Sequence, residues 1–180
     1  MIYYFGTFNP IHLGHIRIAN EIGQAFKDKV CFVPAYDSPW KPGLKDNFNH
    51  RCKMIKLCGQ TCSKIEKDLP QPSYTYKTVK HIIGTTEDVR GDGRLQMIVG
   101  ADQFIEIEKW KNYEFLRDNC FFIVIPRNDL YIKGMMEKGF KYCIYAMNEN
   151  ISSTEVRNGN LSFVTKEVAD YIIENKLYKS

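Results

Sequence analysis

Apolar residues along the chain switch between two spacings. "MIYYF" opens as a short apolar run. From Leu13 to Lys27, apolar residues then fall at 16, 18, 19, 22, 25 and 26, mostly on one helical face. "VCFVPA" reads as a second strand, and the Pro-rich loop "YDSPWKPGLKDN" leads into a helix from about Asn49. "KIEKDL" reads as a strand, and "SYTYKTVKHII" as a helix with Ser73 or Thr75 capping its start. "LQMIVGA", "CFFIVIP" and "YCIYAM" are continuous apolar runs, the pattern of strands buried on both faces. "FVTKEVADYIIENKL" closes the chain as a helix with Thr165 as its N-cap.

Strands that alternate with helices predict an α/β fold: a Rossmann-like, doubly wound, mostly parallel sheet with helices on both faces. No repeat, low-complexity tract or linker divides residues 1–180, so a single domain is expected. Ligands of such sheets bind beyond the carboxyl ends of the strands. Residues 128–142 break the pattern and are expected to form a surface excursion.

Composition narrows the partners. Hydrophobic residues make up 44% and charged residues 26%, as in ordinary soluble proteins. The net charge of +4 is mild and its charges are interleaved, as in "KIEKD" and "EIEKWK". That argues against nucleic acid and suits a small phosphorylated ligand. No apolar stretch reaches the length of a membrane span and the start lacks a signal peptide, so a cytoplasmic protein is expected. Sequons at Asn150 and Asn160 are then incidental. Six cysteines (31, 52, 58, 62, 120 and 143) include no Cys-x-x-Cys pair. Cys58 and Cys62, four apart, have no matching pair elsewhere, so reduced thiols are expected and no metal ligands.

One stretch carries more polar chemistry than a strand and helix need: "YYFGTFNPIHLGH", Tyr3 to His15. Gly6 follows the strand, where a missing side chain admits close approach of backbone to a ligand. Thr7 adds a hydroxyl, Asn9-Pro10 a turn, and His12 and His15, three apart, share one helical face. With the amides of a helix start, the sum is a phosphate cradle carrying two imidazole donors. The plain alternative is that each histidine caps or packs. Neither Gly-x-x-x-x-Gly-Lys nor Gly-x-Gly-x-x-Gly occurs, and "RGDGR" at 90–94 is a turn.

"GTFNPIHLGH" resembles the signature of the His-x-Gly-His nucleotidyltransferase superfamily, and "ISSTEVR" (Ile151 to Arg157) resembles its C-terminal Ile-Ser-x-Thr-x-x-Arg motif. "PSYTYKTV" at 72–79, "GADQFIEIEKWKNYEFL" at 100–116, "FIVIPR" ending at Arg127 and "VADYIIENKLY" are similar to runs of the bacterial nicotinate-nucleotide adenylyltransferases. The resemblance spans nearly the whole chain. It implies adenylyl transfer from ATP to nicotinate mononucleotide, with Mg²⁺ carried by the ATP phosphates and no metal held by protein ligands.

Position by position, the resemblance implies that Gly6, Thr7, Phe8, His12, His15, Gly100, Asp102, Ile151, Ser152, Ser153 and Arg157 bind ATP. His12, His15 and Arg157 would be the catalytic set. Gly100 and Asp102 would meet a ribose. Trp110 would stack on the pyridine, Thr75 and the backbone around Lys111 would take the nicotinate carboxylate, and Lys41, with Arg51, would approach the mononucleotide phosphate. Against these stand plainer roles: Trp110 covering a helix–sheet seam, Asp102 capping a helix, Lys41 and Arg51 as solvated surface charges. Lys27 and Lys29 read as surface. The chain departs from the family pattern at Phe5, where a glycine is common, and at Trp40, where a histidine is frequent. It also departs in a short segment after Arg157, "NGNLSFVTKE" at 158–167, expected to hold only one turn of helix. Alternatives left open are a nicotinamide-preferring enzyme, a phosphopantetheine adenylyltransferase, a cytidylyltransferase or a non-catalytic nucleotide-binding module. Homo-oligomerisation is also left open.

Overall fold

The computed structural model describes residues 1–126, 134–147 and 151–178. Arg127, the sequon at Asn150 and residues 128–133 of the expected excursion lie outside the described residues. Six strands form one parallel sheet: β1 (Ile2–Gly6), β2 (Val30–Pro34), β3 (Thr61–Cys62), β4 (Leu95–Gly100), β5 (Cys120–Ile125) and β6 (Lys141–Ile144), in the order β3-β2-β1-β4-β5-β6.

The apolar runs are unbroken because both faces of the sheet are covered. Along β1, Tyr3 joins one buried cluster and Ile2 and Tyr4 the other; along β4, Met97 and Ile98 divide the same way. On the Tyr4 side lie α1 (Leu13–Phe26), α2 (Phe48–Leu57), α7 (Ser153–Arg157) and α8 (Lys166–Glu174), contributing Ile18, Met54, Val156 and Val168. On the Tyr3 side lie α4 (Thr75–Thr85), α5 (Ala101–Phe104) and α6 (Tyr113–Asn119), contributing Val79, Phe104 and Leu116. This is the doubly wound arrangement expected. Thr165 caps α8 by accepting from the Val168 amide, and the segment after Arg157 holds a single 3₁₀ turn, Leu161–Phe163.

Two local expectations fail. "KIEKDL" is not a strand: β3 is the pair Thr61–Cys62 just before it, and Ile65–Asp68 forms a turn of helix, α3. Glu66 decides this by turning inward to accept hydrogen bonds from the Tyr36 amide and the Thr78 hydroxyl. The start of α4 is not capped by Ser73 or Thr75 either. Its N-cap is Tyr74, without a side-chain bond, and the Ser73 hydroxyl instead accepts from the Asp37 amide. Strand order reverses between β1 and β4, whose carboxyl ends are Gly6 and Gly100. A ligand crevice belongs there.

Candidate active site

Two adjoining cavities open at that reversal. One, of about 350 Å³, is lined by Trp40, Lys41, Tyr74, Thr75, Trp110 and Lys111 among others. The second, of about 250 Å³, is lined by Phe8, His12, His15, Gly100, Ser153 and Arg157 among others. Phe5, Gly6, Thr7, Lys41, Asp102 and Gln103 line both, so they form the shared wall. The sequence-derived ligand set divides between the two cavities, apart from these shared residues. The residues expected to bind ATP, Ile151 excepted, lie on the second cavity, and those expected for the mononucleotide, Arg51 excepted, lie on the first.

The histidine pair owes its geometry to the helix start. His12 is the N-cap of α1, and its Nδ1 accepts from the His15 amide at 3.4 Å; the His15 Nδ1 accepts from the His12 amide at 3.3 Å. The rings stack with centroids 3.6 Å apart, and both are buried. An accepting Nδ1 carries no proton, so a neutral ring in this geometry holds its proton on Nε2. The capping role that the sequence left open is thus observed: one nitrogen of each ring closes the start of the helix, and both rings line the second cavity.

Beneath them, Phe8 has a left-handed backbone (φ 47°) that folds its ring back under Gly6. That ring packs edge-on against His15 at 5.0 Å and Tyr4 at 5.2 Å. Gly6 is therefore demanded by packing. A Cβ there would lie 2.8 Å from the Phe8 ring.

The C-terminal motif arrives from across the sheet. Ser152 is the N-cap of α7; its amide and hydroxyl both donate to the Glu155 carboxylate. The Ser153 hydroxyl donates to Pro10 O at 2.9 Å, and Arg157 donates to Asn9 O at 2.7 Å and to the Thr154 hydroxyl at 2.9 Å. Arg157 has five N–H donors, so this anchoring still leaves some for an anion.

Asp102 does not cap its helix, whose N-cap is Gly100; it stands exposed in the first turn of α5. Trp110 packs against the Tyr3-side core, as its plainer role requires, and also lines the first cavity. Trp40 is 74% exposed at the rim. Arg51 is neither a phosphate ligand nor a surface charge. It is fully buried and donates to Thr7 O, Ala35 O, Leu44 O and the Asn47 side chain. Sequence reasoning also missed Glu66, a buried acid on the first cavity wall, and Tyr178, whose hydroxyl donates to the Asn9 side chain. Burial pushes the Glu66 carboxyl above the usual carboxylate range, against the bonds from Tyr36 and Thr78.

All six thiols are unpaired. Burial pushes the Cys31 thiol up to about 11 and raises that of Cys120, so neither offers a thiolate nucleophile. Among the described residues no three His, Cys, Asp or Glu side chains cluster as a metal site, and no helix is long and apolar enough to cross a membrane.

A parallel sheet of this order, with paired imidazoles and a guanidinium from distant segments on one cavity, defines the class: a nucleotidyltransferase of the cytidylyltransferase-like group. The family model described as Cytidylyltransferase-like matches residues 3–159. A probable nicotinate-nucleotide adenylyltransferase of Desulfotalea psychrophila is 33% identical, with 96% of each chain covered. One of Staphylococcus haemolyticus is 32% identical, covering 100% of this chain and 97% of the relative. Among solved structures, the Plasmodium falciparum nicotinic acid mononucleotide adenylyltransferase complexed with APC shares the fold (TM-score 0.74, 22% identity), covering 98% of this chain and 96% of the other. The chain belongs to the nicotinate-nucleotide adenylyltransferase family.

Proposed function

We propose that this protein transfers the AMP part of ATP to nicotinate mononucleotide, giving deamido-NAD and pyrophosphate. An oxygen of the mononucleotide phosphate attacks the α-phosphorus of ATP. A P–O–P bond forms, and the bond to the bridging oxygen breaks as pyrophosphate leaves. The attacking group is already an anion, so no protein nucleophile or general base is required. The work of the chain is to hold two repelling anions in line and to stabilise charge on the leaving group.

The observation that carries this reading is the shared wall. Imidazole and guanidinium donors line one cavity, Thr75, Trp110 and Lys111 line the other, and Lys41 faces both. His12, His15 and Arg157 receive the triphosphate, and Asp102 accepts from a ribose hydroxyl. Trp110 stacks on the pyridine ring, and Thr75 with the Lys111 backbone takes its carboxylate. Mg²⁺, when bound with ATP, neutralises phosphate charge. Asp102 is the lone carboxylate lining the second cavity among the described residues, which suits an ion carried by the phosphates rather than by a protein cage. Six unpaired thiols suit a reducing, cytoplasmic setting.

The test is pyrophosphate release across nicotinate and nicotinamide mononucleotides, phosphopantetheine and glycerol phosphate, each with ATP and CTP. The highest kcat/KM is expected for nicotinate mononucleotide with ATP. A higher value for another pair would overturn the substrate assignment.

A further inference from the structure

Two buried charges stand outside the ligand contacts proposed above: Arg51 on α2, with no exposed surface, and Glu66 on α3, 4% exposed on the wall of the first cavity. Both grip one peptide unit. Arg51 donates from a terminal nitrogen to Ala35 O at 2.7 Å, while Glu66 Oε2 accepts from the Tyr36 amide at 3.1 Å. Ala35 O and Tyr36 N–H belong to the same planar trans peptide and point opposite ways. The cation meets the carbonyl and the carboxylate meets the amide, the polarity that charge-assisted bonds to a peptide require.

Their remaining bonds run to the two halves of the site. Arg51 donates to Thr7 O at 2.7 Å on the wall shared by the cavities, and to Leu44 O at 2.8 Å at the end of the loop that carries Trp40 and Lys41. Glu66 Oε1 accepts from the Thr78 hydroxyl at 3.2 Å, one turn along α4 from Thr75. The Ala35–Tyr36 peptide is where the chain leaves β2 to form that loop. The phosphate loop, the loop bearing Lys41 and the helix bearing Thr75 are thus tied through one peptide.

We propose that Arg51 and Glu66 are a positioning pair for the transfer: by clamping the Ala35–Tyr36 peptide from both sides they set the mononucleotide phosphate in line with the α-phosphorus of ATP. Neither side chain touches reacting atoms. A lysine at 51 would keep the charge but could not span three carbonyls, because a single ammonium lacks the planar fork. A glutamine at 66 would keep the shape while losing the charge-assisted bond. The proposal rests on the two-substrate reading above.

The experiment compares wild type, Arg51→Lys, Glu66→Gln and the double variant. It uses pyrophosphate release at saturating ATP and nicotinate mononucleotide, thermal melting, and hydrogen exchange of residues 36–47. Each folded single variant is expected to lose kcat by roughly tenfold to a hundredfold, the scale of a small misalignment, with little change in the KM for ATP. The double variant is expected to lose no more than the worse single, since both act through one peptide. Exchange across 36–47 is expected to quicken in every variant while that of β4 stays unchanged.

Wild-type kcat in folded single variants, or multiplicative losses in the double, would overturn the clamp. If Arg51→Lys does not fold, Glu66→Gln decides the matter alone, by its kcat and its exchange. A wild type that ignores nicotinate mononucleotide would overturn the proposed substrate instead. The exchange measurement would then decide the clamp: faster 36–47 exchange upholds it and unchanged exchange overturns it.

Discussion

Gly6→Ala is the sharpest test of how the fold holds the imidazoles. The new methyl would sit 2.8, 3.0 and 3.1 Å from three atoms of the Phe8 ring, where ordinary contact begins at 3.4 Å, so the ring must withdraw by about 0.6 Å. It has little room to do so. Tyr4, His15 and Phe32 pack edge-on or tilted around it with centroids 4.9 to 5.2 Å away. Overpacking of this kind costs about 1 to 3 kcal/mol. Alanine returns about 0.4 to 1 kcal/mol by stiffening the unfolded chain, and the Gly6 backbone lies outside the left-handed region, so the strain term wins. A net loss of about 1 to 2 kcal/mol lowers the melting temperature by roughly 2 to 8 °C for a chain of this size. Part of the ring's displacement passes to His15, and kcat is expected to fall on the order of tenfold to a hundredfold. Denaturant melts and pyrophosphate release measure the two effects separately. Adding Phe8→Leu, which removes the colliding edge of the ring, should recover part of the stability without recovering kcat. A Gly6→Ala protein with wild-type stability and wild-type kcat would refute the claim that Phe8 links β1 to the histidine pair.

His15→Ala should lower kcat by about two orders of magnitude or more, as loss of a transition-state donor does, and should also cost about 1 kcal/mol of stability because the His12 amide loses its cap. Melting and turnover measured on one sample separate the two. Trp110→Ala should raise the KM for nicotinate mononucleotide by about tenfold while leaving that for ATP nearly unchanged, since the ring lines the first cavity and not the second. Equal rises in both constants would contradict that division. Glu66 binds its proton more tightly folded than unfolded, so it stabilises the fold below the ordinary glutamate range near pH ~4.3 and loses that contribution as pH rises through its raised folded value. The stability of wild type relative to Glu66→Gln should accordingly decline with rising pH across that window; a flat or rising difference would contradict it.

What could be read from the sequence follows a physical line. Strands β4 and β5 were legible because burial on both faces leaves unbroken apolar runs, and α1 and α8 because one buried stripe imposes helical spacing. The candidate site was legible where several polar groups crowd into one turn, as from Gly6 to His15. Arg51 and Glu66 were not. A buried charge looks like a solvated one in sequence, and the partners of Arg51 are carbonyls of Thr7, Ala35 and Leu44, which no side-chain pattern encodes. "KIEKDL" reads as a strand, but Ile65–Asp68 is a helical turn that buries Glu66, a charge no strand pattern marks as buried.

The same reasoning explains why two motifs so far apart in the chain define one site. Asn9 accepts from Arg157 at its carbonyl and from Asn47 and Tyr178 at its side chain, while Pro10 accepts from Ser153. Asn47 in turn accepts from Arg51. The turn between β1 and α1 is therefore held by α7, by the residue before α2 and by the last described residue of the chain. Several polar groups of the C-terminal motif that a sequence reading assigns to phosphate are spent first on this turn. That ordering is useful physically. In the proposed role, a guanidinium already bonded to Asn9 O would reach an anion with its remaining N–H groups while its torsions are fixed, so less side-chain entropy would be lost on binding. Arg157 and Ser153 thus stand on the second cavity only when the C-terminal segment is docked, and loosening that segment should withdraw them, leaving the histidine pair in place, before the sheet itself unfolds.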